Sequence, residues 1–161
     1  MITLVLGGAR SGKSAVAEGL AGGSAEVTYV ATAVAHDPDM AERIDAHRRR
    51  RPARWRTVEA GTDVVGAVRR STGTVLVDSL TTWVAEADGF SVDVAGLCRA
   101  LDERDGDAVV VSDEVGLGVH PSTEAGRRFR DALGLVNQVV AAAADDVLLV
   151  VAGRVLPLAA R

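Results

Sequence analysis

With 161 residues, the chain is long enough for about one domain with a buried hydrophobic core. Hydrophobic residues make up 48% of it, but no apolar run approaches the length of a membrane span. The net charge of -4 argues against binding to nucleic acid or to a membrane surface through overall charge. The first residues, "MITLVL", lead directly into a glycine-rich loop, which is not the pattern of a signal peptide, so we expect a cytoplasmic protein.

Apolar, β-branched runs alternate with helix-like stretches along the chain. The predicted strands are residues 2–6, 27–32, 74–77, 108–111 and 147–151, and the predicted helices follow Lys13 and cover residues 37–50, 62–70, 93–104 and 122–144. Each strand is nearly all apolar, which is typical of strands covered by helices on both faces. We therefore expect an α/β fold, in one domain spanning residues 1–161, with a mainly parallel sheet flanked by helices.

The C-terminal part of the chain completes this pattern. In the last predicted helix, Phe129, Leu133, Val136 and Val140 recur at helical spacing, so these side chains should face the sheet. The tail "RVLPLAAR" is compatible with a short antiparallel edge strand, because Pro157 disfavours a central position in a sheet.

A glycine-rich segment after the first predicted strand matches the phosphate-loop pattern G-x-x-x-x-G-K-[ST]. Its residues are Gly7, Gly8, Ala9, Arg10, Ser11, Gly12, Lys13 and Ser14. Glycines let several backbone N–H groups point at one anion, and the N-terminus of the following helix adds positive charge. Lys13 should then reach the β- and γ-phosphates, and Ser14 should bind a Mg²⁺ ion that bridges them. A plain glycine-rich turn is the alternative, but the pattern favours a P-loop (RecA-like) nucleotide-binding domain.

An acidic residue, Asp78, ends the predicted strand in "GTVLVDSLTTWV". In open parallel sheets the ligand lies beyond the carboxyl ends of the strands, so this carboxylate could face the Mg²⁺ ion held by Ser14. The alternative is that Asp78 only caps the helix that follows. Beside a phosphate loop, the metal-binding interpretation is favoured.

A basic segment, "DPDMAERIDAHRRRRPARWRTVE", has the start and stop signals of a helix between Asp37 and Arg51. Met40, Ile44 and His47 share one face of that helix, and four consecutive arginines follow. Taken singly, such a histidine is usually a packing residue and such a basic run a solvated helix end. Together they suit group transfer on a nucleotide phosphate, because a nucleophilic imidazole then adjoins guanidinium groups.

A third stretch, "VVVSDEVGLGVHPSTEAGRRFRDALGLVNQ", leaves a predicted strand through Asp113 and Glu114 and enters the long helix. Loops of this kind often carry substrate contacts. The two carboxylates could act as a base or metal ligand, or could cap and hydrate the strand end. The residues alone leave these roles open.

The motifs, taken in order, closely resemble the bifunctional adenosylcobinamide kinase/adenosylcobinamide-phosphate guanylyltransferase family. The matching stretches are "GGARSGKS", "YVATA", the basic segment, "VLVDSLTTWV", "SDEVGLGVHPSTEAGRRFRDALGLVNQ" and "AAAADDVLLVVAG", which together cover essentially the whole chain. The resemblance implies an enzyme of cobalamin biosynthesis. Such an enzyme phosphorylates adenosylcobinamide with ATP or GTP and then transfers GMP from GTP to the product.

The resemblance also implies roles for particular residues. His47 matches the family's guanylylated histidine, and Lys13 is the other implied catalytic residue. Further implied nucleotide contacts are Ala31, Thr32, Ala33, Arg48, Arg49, Arg50, Arg51, Glu59 and Asp78. The implied cofactor is Mg²⁺, the partners are a corrinoid and a nucleoside triphosphate, and the family's members assemble as homotrimers.

The chain departs from the family pattern at Asp113, where members often carry Asn, and in the short region 84–107. Two other hypotheses are compatible with the motifs. A P-loop kinase or RecA-like ATPase without nucleotidyl transfer would not need His47. A non-catalytic nucleotide sensor would bind nucleotide without turnover, and the intact Lys13, Ser14 and Asp78 argue against it.

Overall fold

The computed structural model describes residues 1–34, 42, 48–49 and 51–159. Its strands are β1 Ile2–Gly7, β2 Val27–Ala31, β3 Arg56–Glu59, β4 Thr74–Asp78, β5 Ala108–Asp113, β6 Asp146–Val151 and β7 Arg154–Leu158. Within the described residues they form a seven-stranded sheet in the order β3-β2-β4-β5-β1-β6-β7. Neighbouring strands are parallel, except that β7 runs antiparallel to β6 at the edge.

The helices are α1 Lys13–Ala21, α2 Val64–Arg69, α3 Leu80–Glu86, α4 Val94–Asp102 and α5 Glu124–Ala143, with a 3-10 turn at Asp88–Phe90. Four of them begin at a short polar residue whose side chain accepts a hydrogen bond from the backbone N–H three positions later. These N-cap residues are Asp63, Ser79, Asp93 and Thr123. Such caps satisfy N–H groups that would otherwise lack partners, so each helix starts where the sequence supplies one.

The central strands β1, β2, β4 and β5 are packed on both faces of the sheet, as nearly all-apolar strands require. On one face, side chains of β1, such as Leu4, pack with those of α2 to α5, including the fully buried Leu97 and Leu133. On the other face, Ala17 and Ala21 of α1 pack against β2, β4 and β5. The side chains of β1 are divided between the two faces because successive side chains of a strand point to opposite sides of the sheet.

The predicted fold class is confirmed: the structure is an α/β fold with a mainly parallel sheet and an antiparallel edge strand in the C-terminal tail. The predicted face of the long helix is confirmed as well. Leu133, Val136 and Val140 are buried, and Phe129 is partly buried against them. In the described part of the chain, no helix is both long and apolar enough to cross a membrane.

One strand and one α-helix of the described residues were not predicted. Strand β3 has the sequence "RTVE" and is mostly exposed, because it forms the edge of the sheet and needs no apolar run. Helix α3 is only seven residues long and contains β-branched and aromatic residues, which are weak helix formers. The predicted helix over residues 37–50 lies outside the described residues, apart from positions 42, 48 and 49.

Candidate nucleotide-binding site

The motifs found in the sequence meet at the carboxyl edge of the sheet, where β1, β5, β4 and β2 end side by side. Gly7, at the end of β1, lies beside Asp113, at the end of β5. Asp78, at the end of β4, lies beside Val111 on one side and Ala31 on the other. Ligands of open parallel sheets bind beyond this edge, so the register brings the phosphate loop and both carboxylates to one region.

The phosphate loop is held in shape by backbone contacts that require its glycines. A side chain at the buried Gly7 would place its Cβ 2.7 Å from the carbonyl oxygen of Val150. Gly12 has a φ of +96°, a left-handed conformation that favours glycine. The carbonyl of Ser11 accepts a hydrogen bond of 2.8 Å from the backbone N–H of Gly153, which ties the loop to the β6–β7 turn.

Helix α1 begins directly after this loop. Its N-cap residue is Gly12, which has no side chain to accept hydrogen bonds from the first turn. The four other regular helices of the described residues each have a side-chain cap. A helix start without such a cap presents its N–H groups and partial positive charge to an anion. This geometry supports phosphate binding at the loop.

Lys13 makes a close ion pair that the sequence did not predict. Its Nζ lies 2.5 Å from Oδ1 of Asp113 and 3.3 Å from the carbonyl oxygen of Gly8. Both charged side chains are largely buried, with exposed fractions of 14% and 24%. The ammonium group is therefore neutralised locally, and a phosphate that binds Lys13 has to compete with the Asp113 carboxylate.

The backbone of Asp113 is fixed on two sides. Its N–H donates a hydrogen bond of 2.9 Å to Thr81 Oγ1, and its carbonyl accepts one of 3.0 Å from Asn137 Nδ2. Glu114 behaves differently, because its carboxylate accepts a hydrogen bond from the N–H of Gly116 within its own loop. Of the two carboxylates whose roles the sequence left open, the structure brings that of Asp113 to Lys13 of the phosphate loop, whereas Glu114 contacts the loop through its backbone N–H, which donates a hydrogen bond of 3.1 Å to the Gly7 carbonyl oxygen.

Asp78 is half-buried and accepts a hydrogen bond of 2.8 Å from the hydroxyl of Tyr29 on its Oδ2. Burial, and then the adjacent Asp78 carboxylate, raise the pKa of Tyr29 far above the ordinary value of a phenol. The phenol therefore keeps its proton at any working pH and remains a donor. Asp78 does not cap α3, since Ser79 is the N-cap.

Thr32 connects the end of β2 to the start of α3. Its hydroxyl accepts a hydrogen bond of 2.8 Å from the N–H of Ser79 and donates one of 2.8 Å to the Ser79 carbonyl oxygen. The side chain is fully buried. Ala31 is buried and Ala33 is half-buried, so the side chains of this segment have little surface that a nucleotide could contact. Nucleotide contact by these three residues stays a prediction.

The described part of the basic segment contacts the same edge of the sheet. Arg48 forms an ion pair of 2.9 Å with Glu59, and both side chains are about half exposed. The guanidinium of Arg51 lies 3.4 Å from the centre of the Tyr29 ring, and Arg49 is exposed. His47 and Arg50 lie outside the described residues, so the structure says nothing of the predicted nucleophile.

The residues predicted to bind Mg²⁺ offer a hydroxyl, on Ser14 at the start of α1, and a carboxylate, on Asp78. Both are hard oxygen ligands, as this ion prefers. Among the described residues, no group of three or more His, Cys, Asp or Glu side chains could hold a metal. This donor set does not suit an all-protein metal cage, but it fits Mg²⁺, which usually takes one or two protein ligands together with phosphate oxygens and water.

Comparison with solved structures supports the P-loop fold. An ATPase from the type III secretion system of pathogenic bacteria is similar over 92% of this chain, with a TM-score of 0.59 and 9% sequence identity. This chain spans half the length of that protein. At such low identity the similarity shows the fold alone.

Comparison with known sequences goes further. The family model described as cobinamide kinase / cobinamide phosphate guanyltransferase matches residues 3–158. The bifunctional adenosylcobalamin biosynthesis protein CobP of Pseudomonas aeruginosa is 40% identical, covering 98% of this chain and 97% of its own length. The proteins named CobU from Escherichia coli and Salmonella typhimurium are 38% and 39% identical, covering 95% of this chain and 97% of their own lengths. The chain therefore belongs to the cobinamide kinase / cobinamide phosphate guanyltransferase family and is an enzyme of this type.

Proposed function

We propose that this enzyme phosphorylates adenosylcobinamide with ATP or GTP and then transfers GMP from GTP to the adenosylcobinamide phosphate. The product is a GDP-activated cobinamide, an intermediate of cobalamin biosynthesis. The observation that carries the proposal is the match of nearly the whole chain to a bifunctional family, with the family's phosphate loop at the uncapped start of α1.

In the kinase step, the phosphate loop would bind the triphosphate through its backbone N–H groups. The ammonium group of Lys13 would contact the β- and γ-phosphates. The hydroxyl oxygen of the corrinoid attacks the γ-phosphorus, the bond to the β-phosphate oxygen breaks, the nucleoside diphosphate leaves, and the proton of the hydroxyl is released to solvent. Lys13 has to exchange the Asp113 carboxylate for phosphate oxygens. The released carboxylate then lies at the strand end beside the loop, because the backbone of Asp113 is fixed there.

Mg²⁺ would be held by Ser14 and Asp78 together with phosphate oxygens, and when bound it neutralises negative charge on the phosphates. Tyr29 keeps one oxygen of the Asp78 carboxylate engaged as a hydrogen-bond acceptor. The negative charge of the Asp78 carboxylate would attract the Mg²⁺ ion, and a neutral amide at this position would lack that charge.

In the guanylyl transfer, the unprotonated nitrogen of His47 would attack the α-phosphorus of GTP. A nitrogen–phosphorus bond forms, the bond between the α-phosphorus and the β-phosphate oxygen breaks, and pyrophosphate leaves. An oxygen of the corrinoid phosphate then attacks the same phosphorus and releases the histidine. The arginines at positions 48–51 and Glu59 would orient the nucleotide, which fits the contact of Arg51 with the ring of Tyr29, whose hydroxyl donates to Asp78.

Two radiolabels test the proposed function. With GTP labelled at the α-phosphate, label should remain on the denatured protein and move to the corrinoid when adenosylcobinamide phosphate is added. With ATP labelled at the γ-phosphate, label should pass directly to adenosylcobinamide. Transfer from the γ-position without any α-label on protein would indicate a plain P-loop kinase, and binding of nucleotide without either transfer would indicate a sensor.

Substitution of Asp78 by asparagine should raise the Mg²⁺ concentration that gives half-maximal kinase activity by about tenfold or more. The reason is that a neutral amide is a poor replacement for an anionic oxygen ligand. Asp107→Asn is a matched control. Asp107 is exposed and precedes β5, so it lies at the amino-terminal ends of the strands, away from the site at their carboxyl ends. Mg²⁺ titrations of Asp78→Asn that superimpose on those of the wild type would exclude the metal-binding role.

We also propose that the enzyme works in the cytoplasm, where ATP and GTP are available, and that it assembles as a homo-oligomer, a trimer by family resemblance. Exposed apolar side chains support an assembly. On β7, Val155, Leu156 and Leu158 are 45%, 56% and 40% exposed, and Leu135 on α5 is 64% exposed. An edge strand with such side chains is a typical site of association between chains.

A further inference from the structure

The ring of Tyr29, the single tyrosine of the sequence, is the point at which two parts of the nucleotide site meet. The ring is 3% exposed and packs on the α1 face of the sheet with Ala17, Trp55 and Leu76. Two neighbouring strands hold its backbone, since β2 lies between β3 and β4. The position of the phenol oxygen is therefore fixed relative to the sheet.

The hydroxyl of this ring contacts the proposed metal ligand. Tyr29 and Asp78 lie on adjacent parallel strands, and the phenol donates its hydrogen bond of 2.8 Å to Asp78 Oδ2. A buried phenol needs an acceptor, and here the acceptor is a half-buried carboxylate at the ligand edge of the sheet. A carboxylate can rotate about its side-chain bonds, so a fixed donor to one of its oxygens restricts its orientation.

The face of the same ring carries an arginine from the basic segment. The guanidinium carbon of Arg51 lies 3.4 Å from the ring centre, and Arg51 Nη1 donates a hydrogen bond of 3.3 Å to Thr57 Oγ1. Thr57 is the register partner of Tyr29 on β3. Arg51 Nε is buried and has no hydrogen-bond partner among the residues that the structure describes. The guanidinium is thus held over the ring face by a cation–π contact and by its hydrogen bond to β3.

We propose that Tyr29 is a positioning residue of the nucleotide site: its hydroxyl helps to orient Asp78 and its ring face helps to hold Arg51, so that one buried side chain contributes to the placement of both. This inference rests on the proposed function, which assigns Asp78 to Mg²⁺ and Arg51 to the nucleotide phosphates. The two contacts use different parts of the ring, so they can be removed separately. Loss of the hydroxyl should change only the Mg²⁺ dependence of nucleotide binding. Loss of the arginine should weaken nucleotide binding whether or not Mg²⁺ is present.

The test is binding of a GTP analogue with a methylene group between the α- and β-phosphorus, measured by calorimetry with and without Mg²⁺. Tyr29→Phe keeps the ring and its stacking with Arg51 but removes the hydrogen bond to Asp78. We expect its affinity in EDTA to equal that of the wild type, while the Mg²⁺ concentration needed for half-maximal enhancement of binding rises about tenfold. Arg51→Met should instead weaken binding about tenfold both with and without Mg²⁺.

A matched control removes a hydroxyl that has no link to the site. Thr74 Oγ1 donates a hydrogen bond of 2.7 Å to Ser24 Oγ at the amino end of β4, four residues before Asp78. Thr74→Val is nearly isosteric and should lower the melting temperature without changing the Mg²⁺ dependence of analogue binding. It separates a loss of stability from a loss of positioning.

A Tyr29→Phe protein whose Mg²⁺ dependence superimposes on that of the wild type would overturn the inference, even if its melting temperature fell. That result would leave the proposed function standing, because wild-type binding would still depend on Mg²⁺. A wild-type protein that transferred neither the γ-phosphoryl nor the GMP group would overturn the proposed function, and the inference with it.

Discussion

Replacing Lys13 by alanine is expected to lower kinase turnover by about two orders of magnitude or more, with the fold retained. The ammonium group of Lys13 would supply positive charge where negative charge develops on the transferred phosphoryl group, and alanine cannot. Turnover should be measured with γ-labelled ATP and adenosylcobinamide, and folding by circular dichroism. A folded Lys13→Ala protein with near-wild-type kinase activity would remove the phosphate loop from the mechanism.

The ion pair between Lys13 and Asp113 makes a second variant necessary. In Lys13→Ala the largely buried carboxylate of Asp113 loses its partner at 2.5 Å and would itself repel an incoming phosphate. The double variant Lys13→Ala/Asp113→Asn removes that repulsion. If Lys13 acts on the phosphates, the double variant stays far slower than the wild type, although relief of the repulsion makes it somewhat faster than the single variant. Recovery to near-wild-type activity in the double variant would mean that Lys13 only neutralises Asp113.

The central strands and the phosphate loop could be predicted because their signals are local. The runs that became β1, β2, β4 and β5 are apolar since both of their faces are covered, and the loop pattern follows β1 directly. Asp78 could be assigned to the ligand edge from its place at the end of such a run. The same reasoning places Asp113 at that edge, and the sequence left only its role open.

The contacts between distant parts of the chain could not be predicted, because they depend on strand order. Lys13 meets Asp113 only because β5 lies beside β1, although 100 residues separate the two positions. Tyr29 was missed because a tyrosine in a buried strand is usually a packing residue. A signal did exist: a buried phenol needs a hydrogen-bond partner, and Tyr29 lies two residues before the end of β2, on the face where Asp78 lies.

Substitution of His47 by alanine should separate the two activities. Covalent labelling by α-labelled GTP and guanylyl transfer should fall by about three orders of magnitude or more, because the attacking nitrogen is lost. Kinase activity should persist in part, since the γ-phosphoryl passes directly to a hydroxyl of the substrate and needs no imidazole. Both assays should be run on the same preparation of the variant, so that a folding defect would lower both activities together.

The chemistry of the labelled bond gives an independent check on His47. A phosphoramidate on histidine is acid-labile and alkali-stable, whereas a phosphate ester on serine is not, so the stability of the label distinguishes these residue types. His120→Ala is the matched histidine control, because His120 is exposed in the loop before α5. His36 is the remaining histidine and lies outside the described residues. Label that survives in His47→Ala, or that maps to Ser11 or Ser14, would assign the nucleophile elsewhere. Label that is lost in His47→Ala and retained in His120→Ala would place the covalent step on the helix face that the sequence pairs with four arginines.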